Sequence, residues 1–180
     1  MSTYPAGLEQ LPAYRDDELN VIIEAPKGSH HKYAYDEEYR LFVLKGTMPA
    51  GAVFPFDFGF VPSTLGEDAD PLDVLVLMDA PGAVGCLVPS RLIGVIEAEQ
   101  TEEDGPERND RLIAVAANSR RHSSMQTLED ASDDLLNEIE HFFVSYNMIK
   151  GKRFEAIGRH GPERAHLLVR EGIERKIQKR

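Results

Sequence analysis

Apolar positions along this chain come in short runs broken by turn residues, a pattern that predicts several strands in succession. The runs are Val21 to Glu24, Lys32 to Tyr35, Leu41 to Leu44, Val53 to Phe60, Val74 to Met78, Cys86 to Ile96 and Leu112 to Ala116. Short strands at such spacing predict a barrel or a strongly curled sheet. The period then changes. Leu135, Ile139, Phe142, Phe143 and Tyr146 recur at helical spacing within Asp130 to Ile149. Ala165, Leu168, Val169, Ile173 and Ile177 do the same within Pro162 to Lys179, where Pro162 suits a first helical turn. The acidic stretch Glu97 to Asp110 lacks either period, carries Gly105-Pro106, and reads as an exposed loop. The fold class expected is α+β, mainly β, over 1–180 as one domain.

Within Val74 to Met78 the alternation has a consequence. Leu72, Val74, Val76 and Met78 fall on one face, and Asp73, Leu75 and Leu77 on the other, so a carboxylate stands at the mouth of an apolar face. Asp73 closes the run Asp68-Ala69-Asp70-Pro71-Leu72-Asp73. Crowded carboxylates repel one another, and a hard divalent cation held by oxygen ligands offsets that repulsion. If the segment is extended, Asp68 and Asp70 point the same way and share an ion. A solvated acidic turn is the plainer reading, since Asp and Pro are ordinary turn residues. An EF-hand loop does not fit, because Leu72 stands where an oxygen ligand is needed and Asp73 where a glycine is needed.

Other residues leave two readings each. Glu24 ends an apolar strand and is either a solvated strand-end charge or an acid aimed into a site. Lys32 is a surface cation or a mobile charge for a phosphate. Tyr146 packs or offers a hydroxyl, and the patch Lys150-Gly151-Lys152-Arg153 is a helix end or an anion contact. His30 and His31 are adjacent and diverge in a strand, which argues against a shared ion. Phe54, Phe56, Phe58 and Phe60 alternate as core residues do, with no flanking basic residues to make a platform for bases.

Charge and cysteine content narrow the classes. A formal charge of -11 opposes binding to nucleic acid, although metal ions bound by the aspartates would invert the local field for a small phosphate. The first twenty residues hold Pro5, Pro12, Arg15, Asp16, Asp17 and Glu18 and no apolar stretch, so neither a signal peptide nor a membrane span is expected. Cys86 has no second cysteine to pair with, and a cytoplasmic location follows as the expectation.

From about Asn20 to Tyr146 these pieces, in order, resemble the soluble family I inorganic pyrophosphatases. Asn20 to Ser29 looks like that family's opening strand, Lys32-Tyr33 like its substrate lysine, Phe54-Pro55 to Phe60 like its aromatic segment, and Asp68 to Val76 like its signature; His141-Phe142-Phe143 and Tyr146 resemble its tyrosine-bearing helix. The resemblance implies a five-stranded OB-like closed β-barrel with two flanking C-terminal helices, often assembled as a homo-oligomer, a hexamer in bacteria. It implies hydrolysis of pyrophosphate, or a related phosphoanhydride, to phosphate by metal-activated water, with Mg2+ as the cofactor and Mn2+ or another divalent cation as an alternative. Asp68, Asp70 and Asp73 would hold the metals and Asp70 would also deprotonate the water. Lys32, Tyr146, Arg111 and Lys152 would bind phosphate, and Glu24 would act from behind them.

The chain departs from that pattern at Ala34, at Lys45-Gly46, and at Phe58, Gln100, Asn109 and Asn147, where the family carries a carboxylate, an Asp-Arg pair, a tyrosine, two aspartates and a lysine. Arg40 or Lys45 would have to supply the lost cation, and Glu99, Glu102, Asp104 or Asp110 the lost acids. The alternative function is a degenerate relative that binds metal and phosphate, or a paralogous subunit, with little or no turnover.

Overall fold

The structure, a computed structural model, describes residues 7–102 and 105–179. Among the described residues ten strands and two long helices follow one another: β1 (Tyr14–Arg15), β2 (Glu18–Ala25), β3 (His31–Asp36), β4 (Leu41–Thr47), β5 (Asp57–Phe60), β6 (Asp73–Leu77), β7 (Leu87–Glu102), β8 (Gly105–Arg108), β9 (Arg111–Ala116), α1 (Asp133–Ile149), β10 (Arg153–His160) and α2 (Pro162–Gln178).

The pairings close on themselves. β2 pairs with β5, β5 with β6, β6 with β9, β9 with β7, and β7 returns to β2, a ring of five strands in which the β6–β9 pair is parallel and the others antiparallel. A ring leaves no open edge within it, which is how small barrels avoid edge-to-edge association. β7 is long enough to continue past the ring, where it carries β10 and β8. β3 and β4 form a separate hairpin beside the barrel.

Alternation along the ring strands builds two apolar clusters. Val21, Ile23, Val74, Val76, Leu112 and Ala114 join Ala165, Leu168 and Val169 of α2, whereas Leu75, Leu77, Ile113 and Val115 join Leu136, Ile139, Phe143 and Tyr146 of α1. The alternation read in Val74 to Met78 therefore decides which helix each side chain meets. Each large apolar side chain fully buried in this way contributes about 1.5–3 kcal/mol.

Helix ends follow local chemistry. The Ser132 hydroxyl accepts from the Leu135 amide at the start of α1, with Asp133 and Asp134 in the first turn, and Pro162 opens α2, whose last turn holds Arg175 and Lys176. α1 starts three residues later than the pattern predicts, because Thr127 caps a separate 3-10 turn, Leu128–Asp130, in a reciprocal capping box.

Other sequence expectations need correction. The described residues of Glu97 to Asp110 form not an exposed loop but the end of β7 and the hairpin strand β8; the inward positions of β7 there are the small Ala98 and the polar Gln100, so hydrophobic period gives little signal. β10 was not anticipated, since in Arg153–His160 the buried Phe154 is followed by the small Ala156 and Gly158 with an exposed Ile157 between them, which breaks the apolar period. Strand structure within Val53 to Phe60 is confined to Asp57–Phe60; Phe54 and Phe58 join the α1 cluster with Phe56 packed against it, as core residues do, whereas Phe60, also buried, lines a cavity. Ile177 is 63% exposed, beyond the end of the barrel that the rest of its face covers.

Candidate active site

Asp68, Asp70, Asp73, Lys32, Arg111, Tyr146, Lys152 and Glu24 each line one of two adjoining cavities at the barrel rim. The inner cavity, about 280 Å3, is lined by Lys32, Asp68, Asp70, Asp73, Arg111, Tyr146 and Lys152 among others. The outer cavity, about 510 Å3, shares Lys32, Asp70 and Asp73 with it and adds Glu24.

Strand irregularities aim the two residues that come earliest in the chain. The β2–β5 register shifts between Ile23 and Ala25, at Glu24, and the β3–β4 register shifts between Lys32 and Tyr33. A bulge bends a strand and redirects its side chains, and such features recur beside reactive sites. Lys32 thereby places its ammonium 5.0 Å from the Phe58 ring centroid, beneath the aspartates. At position 58 the ring thus keeps a cation-π role without a hydroxyl.

The aspartate run is a turn, not the extended segment the sequence argument assumed. Ala69 has a φ of 64, the Gly66 amide donates to the Asp70 carbonyl at 2.6 Å, and the Asp70 amide donates to the Asp68 Oδ1 at 3.1 Å. Proximity of Asp68 and Asp70 comes from this tight turn. α2 secures it: the Leu65 amide donates to the Gly172 carbonyl at 2.9 Å, and the Arg175 Nη1 donates to the Leu65 carbonyl at 2.7 Å.

Electrostatics at the rim are strained toward neutralisation. Burial, with Asp73 and Asp70 adding repulsion, pushes Asp68 up to about 6 against the Asp70 amide that favours its charge. Burial likewise pushes Glu24 up to about 7, although Lys32 opposes the rise. Burial works against the Lys32 charge, but the neighbouring anions, Asp73 foremost, outweigh it and hold the ammonium above the usual lysine range.

Arg111 is the most constrained cation here. It is 3% exposed, pairs through Nη1 with the Asp73 Oδ2 at 2.6 Å, donates to the Asn109 Oδ1, and lies 4.8 Å from the Phe143 ring centroid. The Asn109 Nδ2 donates in turn to the Gln100 Oε1 at 3.2 Å. Where the sequence resemblance led to acids, the structure shows an amide pair tied to a guanidinium. Two atoms are buried without a hydrogen-bond partner among the described residues, the Arg111 Nε and the Tyr146 hydroxyl. Unsatisfied donors beside a cavity lined by lysines are suited to an oxyanion.

The structure also places residues that sequence reasoning left open. Lys45 lines a further cavity of about 250 Å3 with Lys32, Tyr146 and Lys150, so it is Lys45, and not Arg40 in the hairpin turn, that brings a cation inward. Asp110 is occupied by the Ala98 amide and by Arg108. Glu99 is exposed, and Asp104 and the Glu102 side chain lie outside what the structure describes. The additional carboxylate at the inner cavity is Glu107, opposite Gln100 on β8, which no motif marked. Asn147 donates to the Phe143 carbonyl at 2.8 Å.

Among the described residues no group of three or more His, Cys, Asp or Glu side chains is gathered closely enough to hold an ion alone. The donor chemistry fits a metal ion: Asp68, Asp70 and Asp73 offer hard oxygens around one cavity, where burial and then repulsion from the other two hold the Asp68 pKa up.

A closed barrel with acids, cations and unsatisfied donors converging at its rim defines a phosphate-handling hydrolase of the metal-assisted class. Comparison with known proteins gives the family. A family model described as inorganic pyrophosphatase matches residues 21–176, and the chain belongs to that family. The inorganic pyrophosphatase of Synechocystis is 34% identical over 93% of this chain and 97% of that protein, and that of Geobacillus stearothermophilus is 35% identical over 91% and 96%. The crystal structure of the Thermus thermophilus inorganic pyrophosphatase superimposes with a TM-score of 0.86 at 34% identity, covering 94% of this chain and 98% of that one. Members of the family are metal-dependent.

Proposed function

We propose that the chain hydrolyses pyrophosphate to two phosphates with magnesium as its cation, Mn2+ serving as a substitute. The observation that carries this reading is the convergence of Asp68, Asp70 and Asp73 with Lys32, Arg111 and Tyr146 around one cavity. A divalent cation held by the three aspartates would neutralise substrate charge and lower the pKa of water. Asp70, the most exposed of the three, would take a proton from the attacking water. Lys32, Lys150 and Lys152 bind the phosphoryl oxygens, Arg111 Nε and the Tyr146 hydroxyl find in them the partners they otherwise lack, and Glu24 orients Lys32 from behind. As the water oxygen bonds to phosphorus, the bridging P–O bond breaks; the two protons of water end one on each phosphate.

The cytoplasm is supported by the unpaired Cys86, and among the described residues no helix is long and apolar enough to cross a membrane. A homo-oligomer, a hexamer by family resemblance, is supported by exposed apolar side chains such as Met148 at 69% and Leu41 at 65%. The acidic charge opposes nucleic acid as a partner.

Phosphate release from pyrophosphate with Mg2+, in the native chain and in Asp70→Asn, tests the function. Turnover lost in the variant is expected. The second reading, a degenerate binder, is favoured by the Gln100–Asn109 amide pair and the Arg111–Asp73 ion pair, and absence of turnover together with cation binding would establish it instead.

A further inference from the structure

The outer cavity is larger than the acids at its base need. At about 510 Å3 it falls in the range that holds ligands of drug size, about 300–1,000 Å3. Its inner end is Lys32, Asp70 and Asp73, shared with the inner cavity, and from there it runs between the β3–β4 hairpin and the C-terminal end of α2. Position 34 in its wall is Ala34, whose single methyl leaves the passage open. At the far end stand Lys176 and Lys179.

Basic residues at a helix C-terminus complement the macrodipole, which accounts for charge at that place. It does not account for their lining a cavity continuous with the aspartates. Lys176 is not consumed by its neighbour either: its Nζ lies 3.7 Å from Glu37 Oε1, and Glu37 is 61% exposed, so that pair is held weakly. Lys32 beside the aspartates and Lys176 and Lys179 beyond Ala34, with Glu37 next to Lys176, put cationic groups at both ends of one cavity, which suits a ligand that carries anionic charge along its length.

The geometry points to a second anion subsite at Lys176 and Lys179 that lets the chain bind and hydrolyse linear inorganic polyphosphates of three or more phosphoryl groups. This rests on the proposed phosphoanhydride hydrolysis at Asp70 and extends it. The terminal phosphoryl sits at Lys32 and Asp70, and the remainder of the chain lies past Ala34 toward the two lysines. Water attacks the terminal phosphorus, the P–O bond to the bridging oxygen breaks, and tripolyphosphate plus water gives pyrophosphate, hydrogen phosphate and one proton. The pyrophosphate is then itself a substrate.

Steady-state phosphate release from tripolyphosphate and from pyrophosphate, each with Mg2+, is compared for the native chain, for the double variant Lys176→Gln with Lys179→Gln, and for Ala34→Glu. The double variant is expected to raise KM for tripolyphosphate about tenfold while pyrophosphate kinetics stay within about twofold. Ala34→Glu, which puts a carboxylate in the passage, is expected to lower turnover of tripolyphosphate relative to pyrophosphate. Tripolyphosphate kinetics that ignore the two lysines, or pyrophosphate hydrolysis with no tripolyphosphate hydrolysis, overturn the subsite. If neither compound is hydrolysed the function above fails, and calorimetric titration of tripolyphosphate then decides the subsite alone: binding weakened by the double variant supports it, and binding unchanged or absent overturns it.

Discussion

Arg111 and Asp73 are joined through Nη1 and Oδ2 at 2.6 Å, and the pair fixes the side of the cavity from which Asp73 is approached. The Arg111 side chain is 4% exposed and that of Asp73 is 22% exposed, so neither charge is well hydrated. Removing one partner of such a pair leaves the other uncompensated.

Arg111→Met should therefore destabilise the metal-free protein by about 3 kcal/mol, the low end of the range for a broken buried pair because Asp73 keeps some solvent. Divalent cation should recover part of the loss, since Asp73 is then free to ligate. Chemical denaturation with and without Mg2+ measures both effects, and a loss that cation does not recover would show that Asp73 serves Arg111 rather than a metal.

Arg175 acts on the aspartate turn at a distance. Its hydrogen bond to the Leu65 carbonyl, together with the Leu65 amide bond to Gly172, ties the start of the turn to α2. A hydrogen bond from a charged donor contributes about 1.5–3 kcal/mol. Arg175→Ala is expected to weaken cation affinity by about tenfold, read by calorimetric titration with Mn2+. An unchanged affinity would mean that the turn holds its shape without α2.

Much of this arrangement was legible in the sequence, and the limits were physical. Val74 to Met78 announced its two faces because both are covered by apolar groups, and α1 and α2 announced themselves by period. β8 was hidden because Gly105-Pro106-Glu107-Arg108 carries no apolar alternation, and β10 because Phe154 is the one large apolar side chain it buries, with the small Ala156 at the next inward position. The aspartates do line one cavity, but the extended geometry from which their proximity was inferred is overturned by the left-handed Ala69. Glu107 was invisible because its place opposite Gln100 depends on the register of a hairpin that polar sequence does not disclose.

Glu107 is the carboxylate to test for compensation. It lines the inner cavity with Asp68, Asp70 and Asp73, in the part of the site where Gln100 and Asn109 contribute amides. Glu107→Gln is expected to lower Mn2+ affinity severalfold with little change in thermal midpoint of the metal-free chain. Affinity that stays the same would leave the three aspartates as the full protein share of the ligands.

Asp79 supplies a pH signature remote from the site. The Ser119 hydroxyl at 2.6 Å and the amides of Arg120 and Arg121 at 2.9 and 3.1 Å donate to its carboxylate, and these bonds lower its pKa from 3.8 to about 2. A depressed carboxylate pKa means that the charged form stabilises the fold above 3.8 and that this contribution is lost as pH falls toward 2. Asp79→Ala should be less stable than the native chain at neutral pH, with the gap shrinking across that acid window. Denaturant midpoints taken from pH 7 downward check it, and a gap independent of pH would assign the effect to packing.

Cation removal gives the most direct reading of whether the aspartates form a site. An ion that binds the folded state and not the unfolded one stabilises by about 2.7 kcal/mol at a hundred times its dissociation constant. For a chain of this size each kcal/mol moves the thermal midpoint by about 2–4 °C, so saturating Mg2+ should raise it by about 5–10 °C over the chelated protein. The rise should be smaller in Asp68→Asn and smaller still when Asp70→Asn is added, because each substitution removes an oxygen ligand from the same cavity. Scanning calorimetry of the three proteins at one ionic strength separates this from general screening, which would shift all of them alike. A common shift would deny the aspartates their metal and leave the cavity to the lysines, Arg111 and Tyr146 as a site for phosphate alone.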